Sequence, residues 1–112
     1  MNATVSLYDE NGLVEKVNID NIDNKQCFSY TDNESNNCEF CIYDNGLCFF
    51  KEYEDHVLEL HLRGKNYAKI ITSEGIVKID VKVVDFLIND DIVVMRYIID
   101  DVERKIELNY RS

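Results

Sequence analysis

Three of the four cysteines lie close together in the segment CEFCIYDNGLC, residues 38–48. Cys38 and Cys41 are spaced as C-x-x-C, and Cys48 follows seven residues after Cys41. Thiolates at this spacing can bind Zn²⁺ when a second pair of ligands completes a tetrahedral site. They can also carry out redox chemistry when the first thiol begins a helix within a βαβ unit. The other thiol and imidazole groups that could complete a zinc site are Cys27, His56 and His61.

The pattern around these cysteines favours a strand over either form of chemistry. In a strand, Cys38 and Cys41 point to opposite faces because their spacing is odd, whereas a zinc site needs a knuckle turn. A Cys41–Cys48 disulfide would join a diagonal pair of residues, and a cytoplasmic location disfavours it. We therefore expect thiols that pack as small apolar groups, with Cys38 facing inward, Cys41 and Cys48 facing outward, and no bound metal.

Other motifs that could support catalysis are also weak. Residues Asp32–Asn36 resemble the start of a calcium loop, but the central glycine and the final glutamate are missing. The acidic pairs at residues 90–91 and 100–101 are turn signals, because aspartate hydrogen-bonds its own backbone in turns. The sequence contains neither a G-x-S-x-G elbow nor a glycine-rich phosphate loop. We therefore predict a protein that is not an enzyme and holds no cofactor.

Composition limits the architecture and the partners. A chain of 112 residues has room for one domain, which we place at residues 1–112. The net charge is −10, and residues 1–56 carry 12 acidic and 3 basic side chains, which disfavours binding to nucleic acid or anionic membranes. No apolar run is long enough to predict a membrane span, and the N-terminus lacks the features of a signal peptide. We expect a cytoplasmic protein, and the sequence specifies no protein partner.

Turn signals recur about every ten residues, and the runs between them are rich in β-branched and aromatic residues, which predicts an all-β fold. The expected strands are 3–8, 13–20, 26–31, 38–44, 47–53, 56–62, 67–73, 76–88, 91–99 and 102–110.

Two-residue turns predict which residues face each other. A turn at Asn45-Gly46 places Phe40 opposite Lys51, and a turn at Glu54-Asp55 places Lys51 opposite Leu58. Both turns put the same apolar residues on one face, which supports this register. That face contains Phe40, Ile42, Leu47, Phe49, Leu58, Leu60 and Leu62.

The C-terminal half follows the same logic. A turn at residues 100–101 pairs Tyr97 with Arg104, and a turn at residues 89–90 pairs Phe86 with Val93. Apolar residues occupy odd-numbered positions up to Val83 and even-numbered positions from residue 84. This change predicts a β-bulge there, in which one extra residue keeps the apolar side chains on one face. Strands that bend at bulges allow a sheet to curl. We therefore predict a single antiparallel up-and-down β-barrel of about eight to ten strands.

A few polar side chains fall on the predicted inward face. Lys51, Tyr53, Tyr97 and Arg104 could provide the polar contacts of a pocket that binds a small amphipathic ligand. In the alternative interpretation, Arg104 stacks on Tyr97 and extends to water, while Lys51 and His56 lie near a barrel mouth. The barrel would then be filled by side chains, and the protein would act through its surface as a structural or interaction module.

Several short motifs in residues 46–111 occur at matching positions in a known family. They are LELHLRG at residues 58–64, TSEG at residues 72–75 and RYI at residues 96–98. On these motifs the chain resembles the YwiB-like family of bacterial proteins. Lys51 stands where relatives carry an arginine, and Ile70 departs from the usual tyrosine. The resemblance implies a calycin-like, lipocalin-like β-barrel and implies no activity.

Overall fold

Strands make up most of the chain, as the β-branched and aromatic runs predict. The structure is a computed structural model that describes residues 1–111, and this part of the chain contains no helix able to cross a bilayer. The strands are β1 (Asn2–Asp9), β2 (Gly12–Ile19), β3 (Cys27–Thr31), β4 (Asn37–Tyr43), β5 (Gly46–Glu52), β6 (His56–Arg63), β7 (Lys65–Thr72), β8 (Gly75–Asp80), β9 (Lys82–Ile88), β10 (Ile92–Ile99) and β11 (Val102–Arg111).

These strands form two separate antiparallel sheets. One sheet has five strands in the order β2-β1-β11-β10-β9, and the other has six in the order β3-β4-β5-β6-β7-β8. The chain correspondingly groups into two compact units. Unit 1 contains residues 1–23 and the chain from Lys82 onward, and unit 2 contains Asn24–Val81.

The predicted single barrel is therefore wrong. Within residues 1–111 each sheet ends in two edge strands, β2 and β9 in one sheet and β3 and β8 in the other. The barrel does not form because the single strand predicted over 76–88 is two strands, divided at Val81. Its first part pairs with β7 and its second part pairs with β10, so the chain changes sheets at this point.

The apolar face predicted for unit 2 is confirmed. Phe40 lies opposite Phe49, which lies opposite Leu60, and all three side chains are buried. The rings of Phe40 and Phe49 stack with their centroids 4.5 Å apart. Burial of aromatic and aliphatic side chains is the main favourable contribution to folding, so this face is the core of the six-stranded sheet.

In unit 1 the apolar face is built in the same way. The predicted pairing of Tyr97 with Arg104 across β10 and β11 is confirmed. Asp100 and Asp101, at the turn between these strands, have positive φ angles of 50° and 64°. The main buried side chains of this unit are Ala3, Val5, Val17, Val93, Met95, Tyr97, Ile106 and Leu108.

Two of the predicted turns are displaced by one residue. The turn predicted at residues 45–46 lies at residues 44–45, because Gly46 belongs to β5 and pairs with Tyr43. Gly46 is buried with φ +154°, and a Cβ there would collide with the backbone carbonyl of Leu62. The glycine therefore serves a close approach between strands rather than the turn. The turn predicted at residues 89–90 is displaced likewise, so Val93 faces Ile88. Each displacement changes the pairing by two residues and leaves the face assignment intact.

The predicted bulge is confirmed. Arg96 pairs with Asp85 and the next residue, Tyr97, pairs with Val83. Val84 is thus the extra residue, and such an insertion bends the strand locally.

Candidate functional site

Two of the predicted ligand residues, Lys51 and Tyr53, lie in unit 2. Lys51 Nζ is 2.6 Å from Asp32 Oδ2, and the two side chains are only 11% and 0% exposed. The same ammonium lies 5.0 Å from the centre of the Tyr53 ring, within cation–π range. The charge of Lys51 is therefore balanced by a carboxylate of its own unit.

Asp32 is held by the loop between β3 and β4. Its Oδ1 accepts hydrogen bonds from the backbone N–H groups of Glu34 (2.9 Å) and Asn36 (2.8 Å), and its Oδ2 accepts one from the Asn36 side-chain amide (3.1 Å). Burial raises the pKa of Asp32, but the hydrogen bonds from Lys51, Asn36 and Glu34 outweigh this effect and lower the pKa to about 2. Asp32, the first carboxylate of the segment that resembles a calcium loop, thus contacts the Lys51 ammonium and N–H donors of its own loop.

The other two predicted ligand residues, Tyr97 and Arg104, lie opposite each other in unit 1. Burial raises the pKa of the Tyr97 phenol to about 12, against the opposing effect of the Arg104 charge. Arg104 itself is exposed and lines a hollow of about 340 Å³ together with Arg96 and Lys105. The structure thus arranges the four residues as two pairs, one in each unit.

A row of cysteines crosses the sheet of unit 2. Cys27 on β3 faces Cys41 on β4, and Cys41 faces Cys48 on β5. Cys27 and Cys41 form a disulfide, whereas Cys38 and Cys48 are buried and belong to no disulfide. The expectation of a thiol is therefore wrong for Cys41, because β3 brings Cys27 directly opposite it.

The row continues to a histidine. His61 on β6 faces Cys48, and the Cys48 Sγ atom is 3.5 Å from His61 Nδ1. On the other side of the imidazole, Nε2 is 3.1 Å from Glu59 Oε1, and the ring stacks on Tyr67 with a centroid distance of 4.6 Å. Burial raises the pKa of the Cys48 thiol, and the positive charge of Arg63 opposes this shift.

Two parts of this row were not predicted: the Cys41–Cys48 pair, because one turn was misplaced, and the Cys27–Cys41 pair, because no predicted turn set the pairing of β3 with β4. With the turn at residues 45–46, Cys41 and Cys48 are diagonal neighbours; with the turn at residues 44–45, they are directly opposite. The predicted faces of the cysteines are right, but Cys48 is only 6% exposed. A test of the register with the turn moved by one residue would have aligned them.

Strand β9 is a second feature that the sequence analysis did not single out. It ends the five-stranded sheet, and its side chains Val84, Phe86 and Leu87 are 48%, 48% and 53% exposed. Its acidic residue, Asp85, is 3.6 Å from Arg96 on the neighbouring strand. Among residues 1–111, no group of three or more histidine, cysteine or acidic residues is arranged to hold a metal ion.

Comparison with known proteins gives one structural likeness. No family model matches the chain, and no curated protein matches it significantly. The chain is similar to the crystal structure of the ywiB protein from Bacillus subtilis, with 12% identity over 99% of this chain and 89% of that protein, at a TM-score of 0.37. The YwiB-like family, which the short motifs resemble, bears the name of this protein. At this TM-score it carries no argument about the function of the chain.

Proposed function

We propose that this chain is a non-enzymatic interaction module that binds an extended segment of a partner protein as an additional strand beside β9. The observation that carries the proposal is the exposure of about half of Val84, Phe86 and Leu87 on the last strand of a sheet. An edge strand presents a row of backbone N–H and C=O groups to an incoming strand. Strand addition uses these groups for affinity and alternate side chains for specificity.

All four edge strands carry features that discourage strand addition; in β9 these are Lys82, Asp85 and the bulge at Val84, and all of them precede residue 86. Charged side chains discourage edge-to-edge pairing, and β2 carries Glu15 and Lys16 in its centre. Strand β8 carries Lys78 and ends in Asp80, and β3 has only five residues. In the part of β9 from residue 86 to residue 88, all three side chains are apolar.

Charge favours a basic partner over a second copy of the chain. Unit 1 carries 12 acidic and 6 basic side chains in the sequence, a net charge of −6, and two such units repel each other. The loop that follows β9 contains Asp90 and Asp91. We therefore propose a partner segment in which apolar and polar residues alternate. Its apolar residues lie beside Phe86 and Leu87, and it carries lysine or arginine next to the loop that contains Asp90 and Asp91.

We also propose that the protein acts in the cytoplasm. In that compartment a disulfide such as Cys27–Cys41 is transient rather than a permanent cross-link. The binding surface on β9 lies in unit 1 and does not include this disulfide.

A designed peptide tests strand addition. The probe is an eight-residue fluorescent peptide in which valine and threonine alternate, with two lysines at one end, and binding is followed by anisotropy. We expect saturable binding that Phe86→Glu or Leu87→Glu weakens at least about tenfold, which corresponds to about 1.4 kcal/mol. Ile76→Glu is the matched control, because Ile76 is 63% exposed on β8, the edge of the other sheet. Absence of saturable binding, or equal weakening by Ile76→Glu, would contradict the proposal.

Binding of a small amphipathic ligand is a second candidate, favoured by the position of Arg104. Its exposed guanidinium shares with Arg96 and Lys105 a hollow that Asp9, Glu10 and Glu103 also line, and a guanidinium can bind a carboxylate with two hydrogen bonds. Lys51 contributes less in this candidate because Asp32 already balances its charge. Titration with dodecanoate, observed by native mass spectrometry, tests it. Binding that disappears in Arg104→Ala would support this candidate, and unchanged binding in that variant would refute it.

A further inference from the structure

Four neighbouring strands of unit 2 place four reactive groups in one row. Cys27, Cys41, Cys48 and His61 lie on β3, β4, β5 and β6, each directly opposite the next. Directly opposite residues share one face and have Cβ atoms about 4.5–5.5 Å apart. Cys48 therefore lies on the side of Cys41 that is remote from Cys27. A thiolate attacks a disulfide sulfur and displaces the other sulfur, and this row places the attacking and the leaving sulfur on opposite sides of Cys41.

We propose that Cys48 exchanges with the Cys27–Cys41 disulfide, so that the chain alternates between a Cys27–Cys41 and a Cys41–Cys48 bond. In the forward step an electron pair of Cys48 Sγ forms the new bond to Cys41 Sγ. The Cys27–Cys41 bond breaks, and its electron pair leaves on Cys27 Sγ. The Cys48 proton passes to His61 Nδ1, which then releases it to solvent, and the Cys27 thiolate takes up one proton from solvent, so the number of protons is unchanged. Each state contains one disulfide and one thiol of the three cysteines, so no oxidant or reductant is consumed.

His61 is placed to remove the proton from Cys48. Only the thiolate attacks a disulfide, and burial holds the Cys48 thiol in its protonated form. When His61 Nε2 donates its proton to Glu59 Oε1 at 3.1 Å, Nδ1 is the unprotonated nitrogen that faces Cys48 Sγ at 3.5 Å. Glu59 is thus a positioning residue that selects this tautomer.

The exchange moves a thiol from the interior to the surface. Cys48 is buried, whereas Cys27 is exposed at the start of the edge strand β3. In the exchanged state the reactive thiol is therefore Cys27, which can meet a disulfide or an alkylating reagent in solution. The backbone pairing of β3, β4 and β5 is the same in both states, because all three cysteines already lie side by side.

Trapping with iodoacetamide tests the exchange on the full-length, non-reduced protein. After labelling, acid quenching and digestion, mass spectrometry identifies the disulfide-linked and the alkylated peptides. In the wild type we expect alkylated Cys27 to accumulate together with a Cys41–Cys48 disulfide. In Cys48→Ser we expect only the Cys27–Cys41 disulfide; Cys48→Ala replaces this variant if the serine prevents folding. Cys38→Ser is the matched control, because Cys38 is a buried cysteine outside the disulfide on the opposite face, and it should behave as the wild type.

Two results would overturn the exchange: wild-type Cys27 that resists labelling, or Cys27 labelled equally in the wild type and in Cys48→Ser. The role of His61 has its own test. We expect His61→Ala to slow labelling of Cys27 about a hundredfold and added imidazole to restore part of the rate. His56→Ala is the control, because His56 is on the opposite face of the same strand. A wild-type rate in His61→Ala would refute its role as the base.

Discussion

Replacing Lys51 with methionine would leave the Asp32 carboxylate buried without its counter-ion. The two groups are 2.6 Å apart, and the Asp32 side chain is completely inaccessible to solvent. Removal of one partner of a buried ion pair costs about 3–5 kcal/mol. Asp32 keeps its three N–H donors from Glu34 and Asn36, so we place Lys51→Met at the lower end, about 3 kcal/mol at pH 7. The double variant Asp32→Asn/Lys51→Met buries no charge and should regain more than half of this loss.

The pH dependence gives a second measure of the same pair. The pKa of Asp32 is about 2 in the folded protein, below the ordinary value of 3.8. A lowered folded-state pKa contributes stability that is fully present above about pH 4 and is lost as the pH falls toward 2. The difference of nearly two units corresponds to roughly 2.5 kcal/mol. At pH 2 the folded carboxyl is half protonated, so between pH 5 and pH 2 the wild type should lose about 2 kcal/mol more free energy of unfolding than Asp32→Asn, and the remainder below pH 2.

The assay is urea unfolding followed by far-UV circular dichroism, since the chain contains no tryptophan. The free energies of unfolding of the wild type, both single variants and the double variant form a mutant cycle at pH 7 and at pH 2.5. A loss below about 1 kcal/mol for Lys51→Met at pH 7, or an equal loss at the two pH values, would refute the role assigned to the pair.

Three further variants test the backbone. Gly46→Ala should lower the free energy of unfolding by about 3 kcal/mol or prevent folding, because the new Cβ meets the Leu62 carbonyl; a near-native melting temperature would contradict this. Asp101→Gly should raise stability by about 1 kcal/mol, because Asp101 has φ +64°, and an unchanged or lower urea midpoint would argue against that conformation. Deletion of Val84 should be tolerated better than deletion of Val83, because only Val84 is left out of the pairing with β10; the reverse order of melting temperatures would place the bulge elsewhere.

Sequence reasoning predicts the strands and their faces well because both follow from alternation. The turn at residues 100–101 and the turn at Glu54-Asp55 give the observed pairings, since no other residue in these segments competes for the turn. The turn before β5 fails because Gly46 looks like a turn residue, whereas its role is to admit the backbone of β6. A glycine required by a distant strand cannot be distinguished in one sequence from a glycine required by a turn.

The division into two sheets is harder to predict than the strands. Alternation continues through Val81, so the sequence shows no interruption where β8 ends and β9 begins. A change of sheet depends on which strands pair over long distances, and local patterns do not contain that information.

Part of the candidate sites was predictable. The inward position of Lys51 and the pairing of Tyr97 with Arg104 follow from register. The ion pair between Lys51 and Asp32 does not, because it depends on how the loop after β3 folds back onto β5.

The central claim, strand addition at β9, is tested most directly by backbone amide NMR of the protein with the lysine-ended peptide. The account predicts that the largest chemical-shift changes and the strongest new protection from hydrogen exchange occur at the amides of Lys82–Ile88, with the amides of Gly75–Asp80 unchanged. Changes that centre on other residues, or saturation without new protection in Lys82–Ile88, would contradict the claim.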